Sequence, residues 1–210
     1  MALVDHDRID TAKALAIRAV QQLQSTNRRT LDALAARIFH YYSWAHECRG
    51  ELAAVRGTLM AQHRSATLRH DELCQEALLN LLLRNFLAFN QYAQAEQLRS
   101  KAQLPENPRS SQQHSRYLYY LGRIRAIQLG YSEARDCLAQ ALRKAPGIAL
   151  GFRITVSKWL VLVRLLLGEV PDRSEFTQAD TRNVRRGPCP APDGRPLPPP
   201  PPRLLVPAVA

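Results

Sequence analysis

The sequence predicts an all-α fold in which pairs of antiparallel helices stack into a right-handed solenoid. One pattern of small and apolar residues recurs at a spacing of about 40 residues. Residues 1–180 are rich in Ala, Leu, Arg and Gln, and they hold only four of the fourteen prolines, each at an expected helix boundary. No segment shows the sustained apolar and polar alternation that is typical of a strand. These observations together favour a helical-repeat protein.

The clearest repeat unit covers residues 115–146 and has the side-chain order of a tetratricopeptide (TPR) repeat. Gly122 and Ala134 are small where two antiparallel helices must approach closely, and leucines fill the seam between those helices. Pro146 ends the unit. The predicted first helix carries Leu118, Leu121 and Gly122, and the predicted second helix carries Tyr131, Ala134, Leu138 and Ala141.

Two earlier units share this register. In the preceding unit, Leu79, Leu82, Leu83 and Phe86 lie on the first helix, Asn90-Gln91 form the turn, and Tyr92, Ala95 and Ala102 lie on the second. One unit further back, Phe39, Tyr42, Ser43 and His46 precede a turn at Arg49-Gly50, and Leu52, Val55 and Leu59 follow it. Three successive units therefore predict the same helix–turn–helix hairpin.

The predicted array is open at both ends. Ile9, Ala12, Ala16 and Ala19 resemble the second helix of a unit whose first helix is missing. Residues 148–167 predict a strongly apolar first helix with no clear second helix after it. Such units cannot bury their apolar faces alone, so they stack on their neighbours. An ordinary helical bundle in which the spacing arises by chance is the alternative.

The composition changes abruptly near Thr181. The last thirty residues hold ten prolines, and the run at 198–202 favours polyproline II and cannot join a helical core. We predict a helical-repeat arm over residues 1–176 and a disordered Pro/Arg-rich tail over residues 177–210. The tail either serves as a proline-dependent ligand flanked by Arg195 or Arg203, or is an out-of-frame or alternatively spliced ending without an evolved role.

The net charge of +11 divides between the two regions. Five arginines and one aspartate in residues 181–210 contribute +4, which leaves +7 on the repeats. A basic face can contact RNA, an acidic partner or only water. No RNP-type aromatic motif, glycine-clamp loop or zinc finger accompanies it, which argues against nucleic-acid binding. The densest basic clusters are Arg56, His63, Arg64, Arg69 and His70, and Arg116, Arg123, Arg125 and Arg135.

The sequence shows little that could support catalysis or a cofactor. It has no glycine-rich phosphate loop, serine elbow or Cys–His nucleophile pattern, and we therefore predict that the protein is not an enzyme. His70 and Cys74 lie four residues apart and His46 lies two from Cys48, but neither pair has the further ligands that a metal site requires. The carboxylates of Asp71, Glu72 and Glu76 are explained by a solvated or salt-bridged helix face.

The cysteines and the apolar runs predict the compartment. Cys48, Cys74, Cys137 and Cys189 are widely spaced and form no CxxC pair, which argues against a zinc ribbon or a disulfide framework. No signal peptide opens the chain, and the apolar runs at 159–163 and 165–167 are too short to span a bilayer. These features predict a soluble intracellular chain with reduced thiols.

Several long segments carry a specific resemblance. They are ATLRHDE (66–72), LLNLLLRNFLAFNQYAQAEQLRSKA (78–102), RYLYYLGRIRAIQLGYSEAR (116–135), ALRKAP (141–146), LLLGEVPDR (165–173) and NRRTLDALAAR (27–37). These segments resemble the family of 26S proteasome non-ATPase regulatory subunit 3, and the likeness extends to about residue 176. Members of this family are PCI subunits of the regulatory-particle lid, in which a helical-repeat arm precedes a C-terminal winged-helix module.

The resemblance implies a non-catalytic scaffold subunit that works in the cytoplasm and nucleus. Lid subunits of this kind form a horseshoe that positions the deubiquitinating subunit, so the implied partners are other lid subunits rather than a membrane or a small molecule. The sequence lacks the family's N-terminal region and winged-helix module, and we expect a truncated version with two uncapped apolar repeat faces. A free-standing TPR-like adaptor is the first alternative. A component of a related PCI assembly, the COP9 signalosome or translation initiation factor three, is the second.

For a scaffold of this kind, we expect the important residues to be those that hold the helices together. Arg84 and Asn85 form either a buried polar brace or a contact between subunits. Gly122, Ala134 and Ala141 are assigned to close contact between helices. Tyr92 and Tyr131 are assigned to the turn, and Leu79, Leu82 and Leu83 to the apolar ridge.

Overall fold

The computed structural model describes residues 9–26, 28–102 and 110–172, and these residues form helices and no strands. A 3-10 turn at Arg29–Leu31 precedes the second helix. The helices are α1 (Ile9–Ser25), α2 (Asp32–Cys48), α3 (Leu52–Leu68), α4 (Glu72–Ala88), α5 (Tyr92–Lys101), α6 (Ser111–Ile127), α7 (Tyr131–Lys144) and α8 (Leu150–Leu166). The predicted all-α class is confirmed.

The helices stack as a solenoid of pairs. Helices α2, α4, α6 and α8, which we call the first helices, contact one another in succession. The second helices α1, α3, α5 and α7 each contact the first helix that follows, and α3, α5 and α7 also contact the first helix of their own pair. Because the main contacts join near neighbours along the chain, the interior is continuous but local, as in other helical-repeat proteins.

The turn that ends each first helix has one geometry and repeats with the same period as the sequence pattern. A residue with positive φ follows each first helix, in the series Gly50 (73°), Asn90 (55°), Leu129 (67°) and Gly168 (82°), and His70 (56°) takes the same conformation after the second helix α3. The next amide in each turn donates a 2.9 Å hydrogen bond to the carbonyl oxygen five residues earlier, on His46, Phe86, Arg125 and Arg164. These bonds close the helix ends in Schellman motifs, which fix where each second helix can begin.

The second helices repeat one buried position. The fourth residue of α3, α5 and α7 is Val55, Ala95 and Ala134 respectively, and each is fully buried. A small or β-branched side chain at this point lets the second helix lie close against its neighbours. One core position therefore recurs in three successive pairs.

Helices α5 and α8 depart slightly from the predicted boundaries. Helix α8 begins at Leu150 and not at Ile148, because the amide of Ala149 donates to the carbonyl oxygen of Pro146 in a turn that leaves Ile148 exposed. Helix α5 ends at Lys101, so Ala102 follows the helix that was expected to contain it. The proposed tail at 177–210 lies outside the described residues, and the boundary at residue 176 stays a prediction.

Candidate protein-interaction surfaces

The sequence-predicted repeat positions lie in or beside the core. Tyr92 and Leu121 are partly buried, as are Tyr131 and Pro146. Their assignment as the residues that define the repeat stays a prediction. The buried members of the set are Leu79, Leu82, Leu83, Ala95, Leu118, Gly122, Ala134, Leu138 and Ala141.

The seam between α6 and α7 is packed so closely that it leaves no room for a methyl group. A β-carbon added at Gly122 would lie 2.7 Å from Cγ of Leu138 and 3.3 Å from the carbonyl oxygen of Ala134. Ser115, buried on α6, donates a 2.8 Å hydrogen bond to the carbonyl oxygen of Ala141 on α7. These contacts hold the two helices of one pair at a fixed spacing.

A buried ion pair braces α2 against α4. The guanidinium of Arg84 donates from Nη2 and Nε to Oε1 of Glu47, at 2.8 and 3.2 Å. The side chains are only 13% and 9% exposed. Removing one charged partner of such a buried ion pair is strongly destabilising, because the remaining charge is left buried and unpaired.

The neighbouring Asn85 braces α4 against α3. Its fully buried amide donates a 2.6 Å hydrogen bond to the carbonyl oxygen of Leu52 and accepts one of 3.0 Å from Nε of Arg56. The guanidinium of Arg56 in turn lies 4.9 Å from the ring centroid of Phe86 and 5.3 Å from that of Phe89. Of the two interpretations offered for Arg84 and Asn85, these internal contacts support the polar brace.

A groove crosses the first helices where α2, α4 and α6 lie side by side, and we call it the first-helix groove. Its floor contains Asn80, which is 4% exposed. The amide nitrogen of Asn80 donates to the backbone oxygen and to Oε1 of Gln113, both at 2.9 Å, while its Oδ1 has no hydrogen-bond partner within the structure. The lining residues are His40, Ala77, Asn80, Leu81, Arg84, Gln113, Arg116 and Tyr120.

Arg116 lines the groove, and a second arginine of α6 lies outside the groove, against α8. Arg116 makes no ion pair or hydrogen bond with the described part of the chain. Two turns further along α6, the guanidinium of Arg123 lies 5.0 Å from the ring centroid of Trp159 and 5.7 Å from that of Tyr119. The buried Nε of Arg123 has no acceptor. Neither Arg116 nor Arg123 has an acidic partner in the described part of the chain, whereas Arg84 of the groove is paired with Glu47.

Comparison with known proteins identifies the family of the arm. The sequence profile of a family described as "PSMD3-like, N-terminal TPR repeats" matches residues 1–186. The chain belongs to this family. The recognition made from the quoted segments is thereby confirmed.

The PSMD3-like relatives are long proteins of which the chain covers a part. The chain is 58% identical over 184 residues to 26S proteasome non-ATPase regulatory subunit 3 homolog A of Arabidopsis thaliana, which is 88% of this chain and 38% of that relative. It is 46% identical over 177 residues to the Dictyostelium discoideum subunit 3, and 43% identical over 181 residues to the probable subunit 3 of Drosophila melanogaster. These matches cover 84% and 86% of this chain but only 35% and 36% of those relatives. The chain thus spans less than two fifths of the relatives' length.

In this PSMD3-like arm, the basic cluster predicted at Arg116, Arg123, Arg125 and Arg135 divides into two. Arg116 lines the groove, and Arg123 lies against Trp159 of α8. Nε of Arg125 lies 3.1 Å from Oε2 of Glu133, and Nη1 of Arg135 donates a 2.8 Å hydrogen bond to Oε1 of Glu169. Because a helix turns by about 100° per residue, arginines that are close in sequence need not share a face.

The sequence analysis missed the first-helix groove, although the sequence carries a signal for it. Asn80 interrupts the apolar run LLNLLL, and the repeat register aligns it with His40 and Tyr119 on the neighbouring first helices. A polar residue at a core-facing position requires a partner or a ligand. That requirement could have drawn attention to Asn80 before the structure was known.

The cysteine and histidine pairs have no metal-site geometry in the described regions. No group of three or more His, Cys, Asp or Glu side chains there could hold a metal ion. Burial raises the pKa of the Cys74 thiol to about 12, so this thiol stays protonated and unreactive at neutral pH. No described helix is long and apolar enough to cross a membrane.

Proposed function

We propose that the chain is a non-catalytic scaffold subunit, or a fragment of one, of the 26S proteasome regulatory-particle lid. It would support ubiquitin-dependent protein degradation by contacting other lid subunits in a hetero-oligomer, in the cytoplasm and the nucleus. The observation that carries this proposal is the PSMD3-like family match over residues 1–186. The relatives bear the name of a non-ATPase regulatory subunit of the 26S proteasome.

The physical character of the arm supports a scaffold. A stack of helix pairs offers long surfaces, and its ends can dock on different proteins. The braces at Arg84–Glu47 and Asn85–Leu52 hold successive helices at fixed spacing, which a scaffold needs in order to present its surfaces in one geometry. The buried Cys74 thiol, with its pKa raised to about 12, is not a nucleophile at neutral pH.

Affinity purification of the tagged 210-residue chain from cell extract, followed by mass spectrometry, tests the proposal. We expect lid subunits in near-equal amounts. The matched control is a chain with Gly122→Leu, which fills the α6–α7 seam and should lose the lid subunits while expression is unchanged. Recovery of chaperones alone with the unmodified chain would refute the proposal.

A free-standing adaptor is the second candidate, and the first-helix groove is the observation that favours it. The groove carries an unpartnered buried amide oxygen on Asn80 and the unpaired cation of Arg116. In the affinity purification, recovery of one non-proteasomal protein without lid subunits would favour the adaptor. RNA affinity that falls steeply with salt would instead favour the related PCI assemblies.

A further inference from the structure

We propose that helix α1 is held on α2 by a proton-sensitive contact, and that protonation of His46 releases the helix. The contact consists of His46 near the end of α2, Glu51 in the turn that follows α2, and Lys13 of α1. We call these three residues the α1 latch. The inference concerns a conformational change within the arm, and it does not depend on the proposed role in the proteasome.

Helix α1 has a small buried face. Val20 is its buried residue, and its other apolar side chains are at most partly buried against the core. In the described part of the chain, the main neighbour of α1 is α2. Segments with few buried contacts open locally at a low cost in free energy. The ion pairs that tie α1 to the end of α2, Lys13 with Glu51 and Asp10 with Arg49, therefore contribute to keeping it docked.

The imidazole of His46 lies beside the first of these ion pairs and has no hydrogen bond of its own. Its side chain is 7% exposed, and neither ring nitrogen has a hydrogen-bond partner within the structure. Nδ1 of His46 lies 3.7 Å from Oε2 of Glu51, and the same oxygen accepts a 2.5 Å hydrogen bond from Nζ of Lys13. The carboxylate that could stabilise an imidazolium at His46 is therefore already bound to Lys13.

The other groups that face this end of α2 leave His46 as the group that titrates near neutral pH. The ring of Tyr42, one turn earlier on α2, lies edge-on to the imidazole with the centroids 4.7 Å apart. On the α3 side, the guanidinium of Arg56 is bonded to Asn85. The charged groups from α1, the turn and α4 are paired as Lys13 with Glu51, Asp10 with Arg49, and Arg84 with Glu47.

The docked position of α1 disfavours a proton on His46. Burial and the ammonium group of Lys13 lower the pKa of His46 from its ordinary value of about 6.5, and the carboxylate of Glu51 opposes them. When α1 departs, Lys13 leaves with it, and Glu51 becomes free to pair with the imidazolium. The undocked state therefore binds the proton more readily than the docked state. Docking is favoured above about pH 6.5 and weakens as the pH falls below that value.

Hydrogen exchange of the full chain, measured by mass spectrometry, tests the inference. The quantity is the protection factor of the α1 amides at about pH 7.5 and about pH 5.5, each corrected for the intrinsic exchange rate at that pH, with the amides of α7 as the internal reference. If His46 regains its ordinary pKa of about 6.5 on undocking, the α1 protection factor should fall by at least about threefold and at most about tenfold. The α7 protection factor should change by less than about twofold.

Three variants assign the response to the latch. In His46→Gln, the α1 protection factor should change by less than about twofold between the two pH values, because the titrating group is gone. Lys13→Met breaks the ion pair with Glu51, so it should lower α1 protection at both pH values and reduce the change between them. Arg18→Met is the matched control, because Arg18 is exposed on α1 and has no ion pair in the described chain. It should retain the response of the unmodified chain.

Four results would overturn the inference. They are a change of less than about twofold in the α1 protection factor of the unmodified chain, α1 amides without protection at either pH, a full response in His46→Gln, and equal responses in Lys13→Met and Arg18→Met. Helical circular dichroism and thermal unfolding establish that each variant is folded. If His46→Gln does not fold, the comparison of Lys13→Met with Arg18→Met still decides, because both replaced side chains lie outside the core.

Discussion

Filling the α6–α7 seam by a single methyl group offers a quantitative test of the helix-pair packing. In Gly122→Ala, the added β-carbon meets Cγ and Cδ2 of Leu138 at 2.7 and 2.9 Å, and the side chain of Leu138 is fully buried. Overpacking of this kind costs about 1–3 kcal/mol. Alanine in place of glycine within a helix contributes about 1 kcal/mol in the opposite direction. We therefore expect a net loss of about 1 kcal/mol in the free energy of unfolding.

Gly57→Ala is the matched control. Gly57 lies inside α3, and a β-carbon there would have no atom within 4 Å. The helix-propensity gain of about 1 kcal/mol is shared by both variants, so the difference between them, about 2 kcal/mol, isolates the steric cost. Urea unfolding followed by helical circular dichroism measures both. If Gly122→Ala stabilises the protein as much as Gly57→Ala does, the α6–α7 seam accommodates a methyl group without steric cost, which would contradict the close packing described above.

Three other substitutions test the turn, the brace and a half-buried histidine. Leu129→Gly should raise the free energy of unfolding by about 1 kcal/mol, because it removes a β-carbon from a residue at φ 67°, whereas Leu129→Ala should give no such gain; denaturant midpoints would decide. Arg84→Ala should cost about 3 kcal/mol by leaving Glu47 buried and unpaired, and the Arg84→Met/Glu47→Gln double variant should recover most of that loss in the same assay. Burial lowers the pKa of His63 from its ordinary value of about 6.5. As the pH drops below about 6.5, the unfolded chain therefore binds a proton at His63 more readily than the folded chain does, and the free energy of unfolding should fall. His63→Gln should flatten that dependence in unfolding measurements at about pH 7 and pH 5, and an unchanged slope would exclude His63 as its source.

The fold could be predicted because its two determinants are local. Apolar and small residues at helical spacing mark the packing faces, and the residue after each first helix marks the turn. Glycine at 50 and 168 and asparagine at 90 are residue types that accept positive φ readily. Leu129 stands at the same register position without that tendency, and there the hydrogen bond from Gly130 to Arg125 maintains the turn. At position 129 the turn follows from the repeat period, although leucine does not favour positive φ.

The candidate site was harder to predict because stacking assembles it from distant segments. His40, Asn80 and Arg116 come from three helices, and nothing in the local sequence of any one helix marks a groove. Sequence proximity was misleading for the arginines. Arg123 and Arg125 are two residues apart and therefore about 200° apart around α6, so one faces Trp159 and the other faces Glu133.

Arg84 connects the brace to the groove. Its guanidinium bonds Glu47 of α2, and the same side chain lines the first-helix groove between α2 and α6. The ion pair therefore fixes the spacing of two helices whose separation sets the width of the groove at that point. A scaffold that used flexible side chains there would lose entropy on ordering them around a partner. Because Arg84 is already held by the carboxylate of Glu47, the entropy of ordering this part of the groove wall is lost during folding and not when a partner binds.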